Sequence, residues 1–470
     1  MKKIIILCVA VALSSCGIYK PYTRPEVRTD GLYGQGVETM DSLTLGDVRW
    51  QEMFTDPLLQ QLIEQGLANN TDLQSAQWRV KEAEAALKVS RLSFLPSFNF
   101  APQGSVSSFD NGKASWTYNV PITASWEIDI FARLLNGKRK AKAVYAQSQE
   151  YRQAVQTQLI SGIANLYYSL LMLDSQYATT KETATKWRES VETMKSLKQA
   201  GMTNEAAVAQ TEANCLAIEA SLYNLQYNIR EVENSLASLL GDVPHNIERG
   251  LLSAQVLPQD LNVGIPIQML ANRPDVKSAE LALTQSYYAT SEARSSLYPS
   301  LKLSGSAGWT NAAGSYVVNP GKLLLSAAGS LLQPIFNAGA NRAKLKIAKA
   351  QQEESKLSFQ QTLLNAGAEV NNALTQCQTA RSKSDLRIRQ IAALETAVES
   401  TQLLMRHGSS TYLEVLTAQQ ALLSAQLSQI SDHFDAIQGT VNLYQALGGG
   451  RDIPDPATEK TEKTKKTKKR

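Results

Sequence analysis

The chain has 470 residues, 43% of them hydrophobic and 19% charged, a balance that excludes wholesale disorder. Length alone would suit roughly two or three compact domains. The formal charge of +4 gives little support to nucleic-acid binding, because Lys2 and Lys3 supply +2 and the last fourteen residues, with seven Lys/Arg against two Glu, supply +5, leaving the body between them near −3.

Lys2 and Lys3 precede an apolar run from Ile4 to Leu13, too short to cross a bilayer as a helix, so residues 1–15 read as a signal peptide. Leu13-Ser14-Ser15-Cys16 is similar to a bacterial lipobox, where cleavage leaves Cys16 as a lipidated N-terminus. An ordinary secretory signal that happens to contain a cysteine is the alternative. Residues 16–46 then form an extended anchor segment. No later stretch reaches 18 apolar residues, so no transmembrane helix is expected. Cys215 and Cys377 each sit alone in a helical pattern and read as unpaired.

The first repeat, residues 47–245, opens with a helix that Thr71 is expected to cap, with Gln74 three residues on as the second half of a capping box. That helix should end near Leu95-Pro96. From Trp116 to Ile130 the even positions are Trp, Tyr, Val, Ile, Ala, Trp, Ile and Ile, while polar residues and one proline fill the odd ones. This period-two pattern predicts a strand of about fifteen residues, longer than the usual five or six, with aromatics near both ends of its apolar face. A soluble sandwich strand would also alternate; the length and the aromatic placement favour a membrane barrel. Four strands cannot close a barrel, and an open edge in lipid costs several kcal/mol per unpaired group, so strands that enter a membrane must be pooled among several chains.

All fifteen prolines avoid Ile122–Val243 and Ile335–Ile453, which permits long helices. Val155, Leu159, Ile163, Leu166, Leu170, Leu173 and Tyr177 recur at helical spacing, and Lys138–Ala200 contains no proline and one glycine, Gly162. A helix through that stretch would be roughly 95 Å long at 1.5 Å per residue.

The chain then repeats itself. Asn69–Leu73 matches Asn272–Val276, and Ser93–Ser97 matches Ser296–Ser300, both at an offset of 203. Ile130-Phe131 matches Ile335-Phe336 at 205; Gly201 matches Gly408 and Leu240-Gly241 matches Leu447-Gly448 at 207. A linker (residues 246–264) precedes a second repeat (residues 265–450), and residues 451–470 read as a disordered basic tail. The second repeat's first helix starts at Pro274, with Arg273 and Asp275 suited to a helix start. Its strands are marked by Leu301, Leu303 and Trp309, then by Leu323, Leu325, Ala327 and Leu331. The fold class is mainly α with a small β part, as a duplicated helix-strand-strand-helix-helix unit.

Trp50–Leu59, Asn69–Leu73, Ser125–Phe131, Ala271–Val276, Gln333–Gly339 and Tyr412–Leu416, in this order on a duplicated chain, resemble TolC-like outer-membrane efflux channels. The closest branch is the lipoprotein, NodT-like outer membrane factors that serve resistance-nodulation-division pumps, and the likeness covers about Pro21 to Gly450. The resemblance implies a homotrimer whose strands form a 12-stranded barrel in outer-membrane lipid and whose helical hairpins form a periplasmic tunnel. It also implies a periplasmic adaptor protein and an inner-membrane transporter as partners. Carried over by residue, Gly201, Met202, Thr203 and Asn204, with Gly408, Ser409, Ser410 and Thr411, would be the tips that contact the adaptor. Tyr412 and Glu414 would be a gate, although Ala207 stands where the first repeat would supply a matching acid. Trp126, Glu127, Asp129 and Gln333 fall at barrel-to-helix transitions.

His245, His407 and His433 are scattered without metal-ligand spacing, and no nucleophile elbow or phosphate-binding loop occurs, so neither a metal, a cofactor nor an enzymatic activity is expected. The reading is a passive exit channel of a tripartite efflux pump. A type I secretion channel and a non-conducting structural lipoprotein are the alternatives.

Overall fold

The computed structural model describes residues 19–26, 31–34, 44–108, 110, 112–256, 258, 263–264, 266–313, 316–407 and 411–452. Cys16, Gly408, Ser409, Ser410 and residues 453–470 of the basic tail lie outside them, whereas Asp452 of that tail bonds Arg152 and Gln156 at 2.7 and 2.9 Å. Apart from short helical turns, the elements in chain order are α1 (Pro57–Asn69), α2 (Thr71–Leu92), β1 (Ser97–Phe100), β2 (Gln103–Ser107), β3 (Ser115–Ile128), α3 (Arg133–Gln199), α4 (Glu205–Leu239), α5 (Pro274–Ser295), β4 (Ser300–Ala313), β5 (Tyr316–Leu332), α6 (Ala340–Arg406) and α7 (Tyr412–Ala446). The expected duplication is present, and the long helices match in length to the residue. Helices α2 and α5 each have 22 residues, α3 and α6 each 67, and α4 and α7 each 35.

Three local expectations change. The cap of α2 is Asn70, whose Oδ1 accepts from the Leu73 amide at 2.9 Å; Thr71 is already helical, and Gln74 donates to the Ala68 carbonyl instead of closing a capping box. Helix α2 stops at Leu92, and β3 stops at Ile128, because Asp129 turns to cap α3 by accepting from the Leu134 and Leu135 amides at 3.0 and 2.8 Å. The first strand of repeat one is in two pieces. Both pair with β3 in a single register, with Phe100 opposite Ile122 and Gln103 opposite Asn119, and the gap falls where Pro102 and Pro121 lack N–H donors.

The chain forms two compact units, each drawing on both sequence halves. One takes residues up to 27, 77–150 and 277–362; the other takes 28–76, 151–276 and 363 onward. The first contains the sheet. In the second, α3 lies between α4 and α7: Gln226 of α4 donates to the Tyr177 hydroxyl, and Gln176 and Asn165 of α3 bond Ser431 and Asn442 of α7. Helix α7 lies in turn against α6, through Gln376–Gln438 and Arg387–Asp432. This explains why α3 is buried beyond the expected stripe. Ile163 and Leu170 are buried, and so are Ile160, Tyr167, Tyr168 and Leu171, because two faces of the helix are covered.

The repeats dock in the same way in this unit. At the end of α4, Gly241 (φ +69°) presses on the Asn69 carbonyl, and the Asn70 amide group donates to the Leu239 carbonyl at 3.0 Å. At the end of α7, Gly448 (φ +83°) presses on the Asn272 carbonyl, and Arg273 donates to the Ala446 carbonyl at 2.9 Å. The replacement of Asn70 by Arg273 adds ion pairs to Asp275 and Glu369 at 2.6 and 2.7 Å. Burial opposes the Arg273 charge, but the carboxylates outweigh it and hold its pKa above the ordinary value.

A Cβ at Gly448 would lie 2.5 Å from the Asn272 oxygen, on a left-handed backbone. Gly448→Ala is expected to cost more than about 1 kcal/mol. Gly137→Ala, inside α3 with open space around it, should stabilise by about 0.5–1 kcal/mol. Thermal unfolding of the two purified variants checks both signs.

Candidate functional site

The sheet is antiparallel throughout, with β1 and β2 on one side of β3, then β4, then β5. Its registers gather the alternating residues of every strand onto common faces. Ile122 is opposite Phe100 and Ala307, Trp126 is opposite Leu303, and Trp309 is opposite Val120 and Leu323. The other face holds Asn99, Thr123, Ser125, Glu127 and Lys302, with cross-strand hydroxyl pairs Ser105–Thr117 at 2.6 Å and Ser306–Ser326 at 2.7 Å. The apolar face carries no charge over β1–β3, Ser300–Thr310 and Lys322–Leu332.

That face is bare in a single chain: Trp116 is 70% and Leu325 69% exposed. Each large apolar side chain left in water forgoes about 1.5–3 kcal/mol. A patch of this kind needs an apolar medium or a partner. Among the described residues β5 pairs only with β4, and β1 and β2 only with β3, so both outer edges present unpaired backbone. Strands of 14 and 17 residues exceed the 9–11 that a tilted strand needs to cross a bilayer. No described helix is long and apolar enough to cross one.

At the base of the sheet, Arg133 grips Glu127 through two bonds, and Phe131 stacks on Tyr298 with ring centroids 5.0 Å apart. Trp126 donates to the Phe94 carbonyl at 2.9 Å, and Gln333 to the Leu297 carbonyl at 3.2 Å. Trp126, Glu127, Asp129 and Gln333 therefore stand at strand-to-helix junctions, as expected. A short segment at the N-terminus runs along α5. Arg24 pairs with Glu280 through two 2.7 Å bonds, Tyr22 meets Tyr287 edge-on, and Tyr287 donates to the Lys20 carbonyl. Sequence reasoning missed this clamp, because nothing local in residues 19–26 names Glu280 or Tyr287 as partners.

The α3–α4 turn is built by its backbone. The Gly201 amide donates to the Lys198 carbonyl and the Met202 amide to the Leu197 carbonyl, a helix-ending pattern for which Gly201 adopts φ +70°. Asn204 caps α4 by accepting from the Ala207 amide at 2.9 Å, and Met202 projects 75% exposed. Of the second turn only Thr411 is described; its hydroxyl donates to Glu414 at 3.3 Å at the start of α7. Glu414 is exposed there, while Tyr412 is half-buried against Trp187, Val191, Cys215 and Leu416. Burial pushes the Tyr412 phenol above its ordinary value, with the hydrogen bond to Ser190 opposing. The structure thus places Tyr412 in a three-helix contact, with Glu414 outside it. Cys215 and Cys377 are free and buried, each on its own helix.

The sequence model of the family described as "Outer membrane efflux protein" matches residues 62–242 and 265–449. The cation efflux system protein CusC of Escherichia coli K12 is 27% identical over 455 residues, spanning 95% of this chain and 99% of its own. The probable outer membrane lipoprotein SilC of Salmonella typhimurium is 27% identical over 409 residues, 86% of this chain and 88% of its own. The open-state structure of the Neisseria gonorrhoeae MtrE outer membrane channel aligns with a TM-score of 0.83 at 27% identity, covering 93% of this chain and 98% of that one.

The apolar face makes a directional prediction. Leu325→Arg places a charge among the apolar residues at a cost of about 2–4 kcal/mol at mid-bilayer depth, and should deplete the protein from the outer-membrane fraction. Ser326→Lys, one residue along on the polar face, should leave that fraction unchanged. Quantifying both variants in separated membranes decides the assignment.

Proposed function

The chain belongs to the outer membrane efflux protein family, and from that premise we propose that it is the exit duct of a tripartite pump, assembled as a homotrimer. The observation that carries this reading is the bare apolar sheet face with two unpaired edges. In lipid such edges cannot stay open, and three chains with four strand positions each would close a barrel of about twelve strands. The polar face, with its serines, threonines, Glu127 and Lys302, would then line the water-filled interior. Transport energy comes from an inner-membrane transporter of the resistance-nodulation-division type, so the duct conducts passively.

Two further assignments follow. Cys16 carries a lipid anchor, three residues before Tyr19 and the clamp along α5. The turns at Gly201–Asn204 and Gly408–Thr411 receive the periplasmic adaptor; the exposed Met202 and the open space at Gly201 favour a contact surface there. Glu414 and Tyr412 act at the constriction, Glu414 by favouring cations and Tyr412 by holding α7 against α3 and α4.

Purified protein in a planar bilayer should give discrete conductance steps, whereas a solid envelope-spanning lipoprotein would pass no current. Glu414→Gln should lower the cation preference of those steps. If conductance and preference both stay at the wild-type value, Glu414 serves only as an acid at a helix start.

A further inference from the structure

The largest charge run of the chain lies in residues 457–470, which carry +5 against a body near −3. The run is ordered. Thr458-Glu459-Lys460, Thr461-Glu462-Lys463, Thr464-Lys465-Lys466 and Thr467-Lys468-Lys469 are four tandem triplets, each with Thr first and Lys last. The first two balance two Glu against two Lys. In the last two Lys replaces Glu, so five of the six residues from Lys465 to Arg470 are cationic. The sequence therefore runs from a neutral spacer to a cationic head, and a block of like charge of this kind is the composition of an interaction tail.

The root of the tail is fastened. Chain ends are poorly ordered unless tied down, and here three elements tie one. Arg451 donates to the Gly46 and Gly448 carbonyls, each at 3.0 Å, and pairs with Asp47. Asp452 accepts from Arg152 and Gln156 of α3 at 2.7 and 2.9 Å. The Gly450 amide donates at 2.8 Å to the Tyr444 hydroxyl, which donates in turn to the Val48 carbonyl at 2.9 Å. A pull on the tail is thus taken up by α3, by α7 and by the segment before α1, and not by a fraying helix end.

We infer that Lys465–Arg470 is a cationic head that binds the cell wall, a cross-linked polymer bearing free carboxylates, at a point fixed by Asp452. This goes beyond the channel reading above and rests on its placement of the chain in the envelope. Carboxylates attract the head and are repelled by the acidic body, so the head must stand off from that body. Lys465 is thirteen residues past Asp452. A flexible chain of that length spans about 18–22 Å on average, beyond the Debye length of about 8 Å at physiological salt. The spacer therefore carries the head out of the body's own field. A lipid surface suits the geometry less well. Arg152 and Gln156 are 19 and 23 residues past Arg133, the first residue of α3, which is about 28–35 Å of helix. That length exceeds the average reach of the head.

The test uses the full-length protein in detergent and isolated cell-wall sacculi freed of lipid and protein. One variant combines Lys465→Gln, Lys466→Gln, Lys468→Gln, Lys469→Gln and Arg470→Gln. A second keeps the charge through Lys465→Arg, Lys466→Arg, Lys468→Arg and Lys469→Arg. The wild type and the Arg variant should pellet with sacculi at about 0.1 M salt and be released at about 1 M, where the Debye length falls to about 3 Å. The Gln variant should bind more than about tenfold more weakly. In cells, a carbodiimide couples amines to carboxylates, and should leave several-fold more wild type than Gln variant on sacculi boiled in detergent. Equal retention of the wild type and the Gln variant, retention of neither, or loss with the Arg variant overturns the proposal. So does pelleting without linkage in cells, the outcome for a tail held at the lipid surface. If the wild type neither reaches the outer-membrane fraction nor conducts in a planar bilayer, the channel reading fails separately, whatever the sacculi retain.

Discussion

A backbone hydrogen bond that a single chain cannot make governs this protein. The sheet has an outer edge on β5 and another on β1 and β2, and both present N–H and C=O groups without strand partners among the described residues. In water such edges are tolerable, but the apolar face of the same sheet excludes water as its preferred medium. In lipid, the unpaired groups would cost several kcal/mol each. The two demands are compatible only when another chain supplies the missing strand. The described subunit by itself meets only one of these demands, in keeping with its membership of the outer membrane efflux protein family.

The helices meet a different requirement, which is length without interruption. Helices α3 and α6 reach 67 residues each because proline is absent and stopping residues are confined to their ends. Most helix stability comes from packing, and α3 obtains it twice, from α4 and from α7. Where the helices end, the chain uses one solution twice. Gly241 and Gly448 each allow a close approach by the backbone just before α2 and α5, the corresponding helix of their own repeat, and a side chain donates to a last-turn carbonyl at each place. The substitution of Arg273 for Asn70 shows the repeats diverging, since only the second docking is reinforced by carboxylates.

Divergence of the repeats also separates inside from outside. Phe434 is buried and its counterpart Tyr227 exposed; Phe131 is stacked on Tyr298 and its counterpart Phe336 is bare. The covered Phe131 faces the other repeat of its own chain.

Much of this was legible in the residues. Alternation from Trp116 fixed the faces of β3, proline distribution located the long helices, and the offsets of 203 and 207 announced the duplication. Those signals are local or periodic, and a strand's pleat or a helix's turn converts them directly into geometry. What the sequence did not disclose depends on partners distant along the chain. Asn70 rather than Thr71 caps α2, and Asn70 also bonds the Leu239 carbonyl, a group 169 residues away. Tyr412 is a gate candidate by its motif, but its packing against Trp187 and Cys215 is decided only by the folding of three helices. Strand identity was set by the sequence itself, because alternation needs no partner. Strand register, and with it which edges remain open, was decided by tertiary structure, because a backbone edge has no side-chain code of its own.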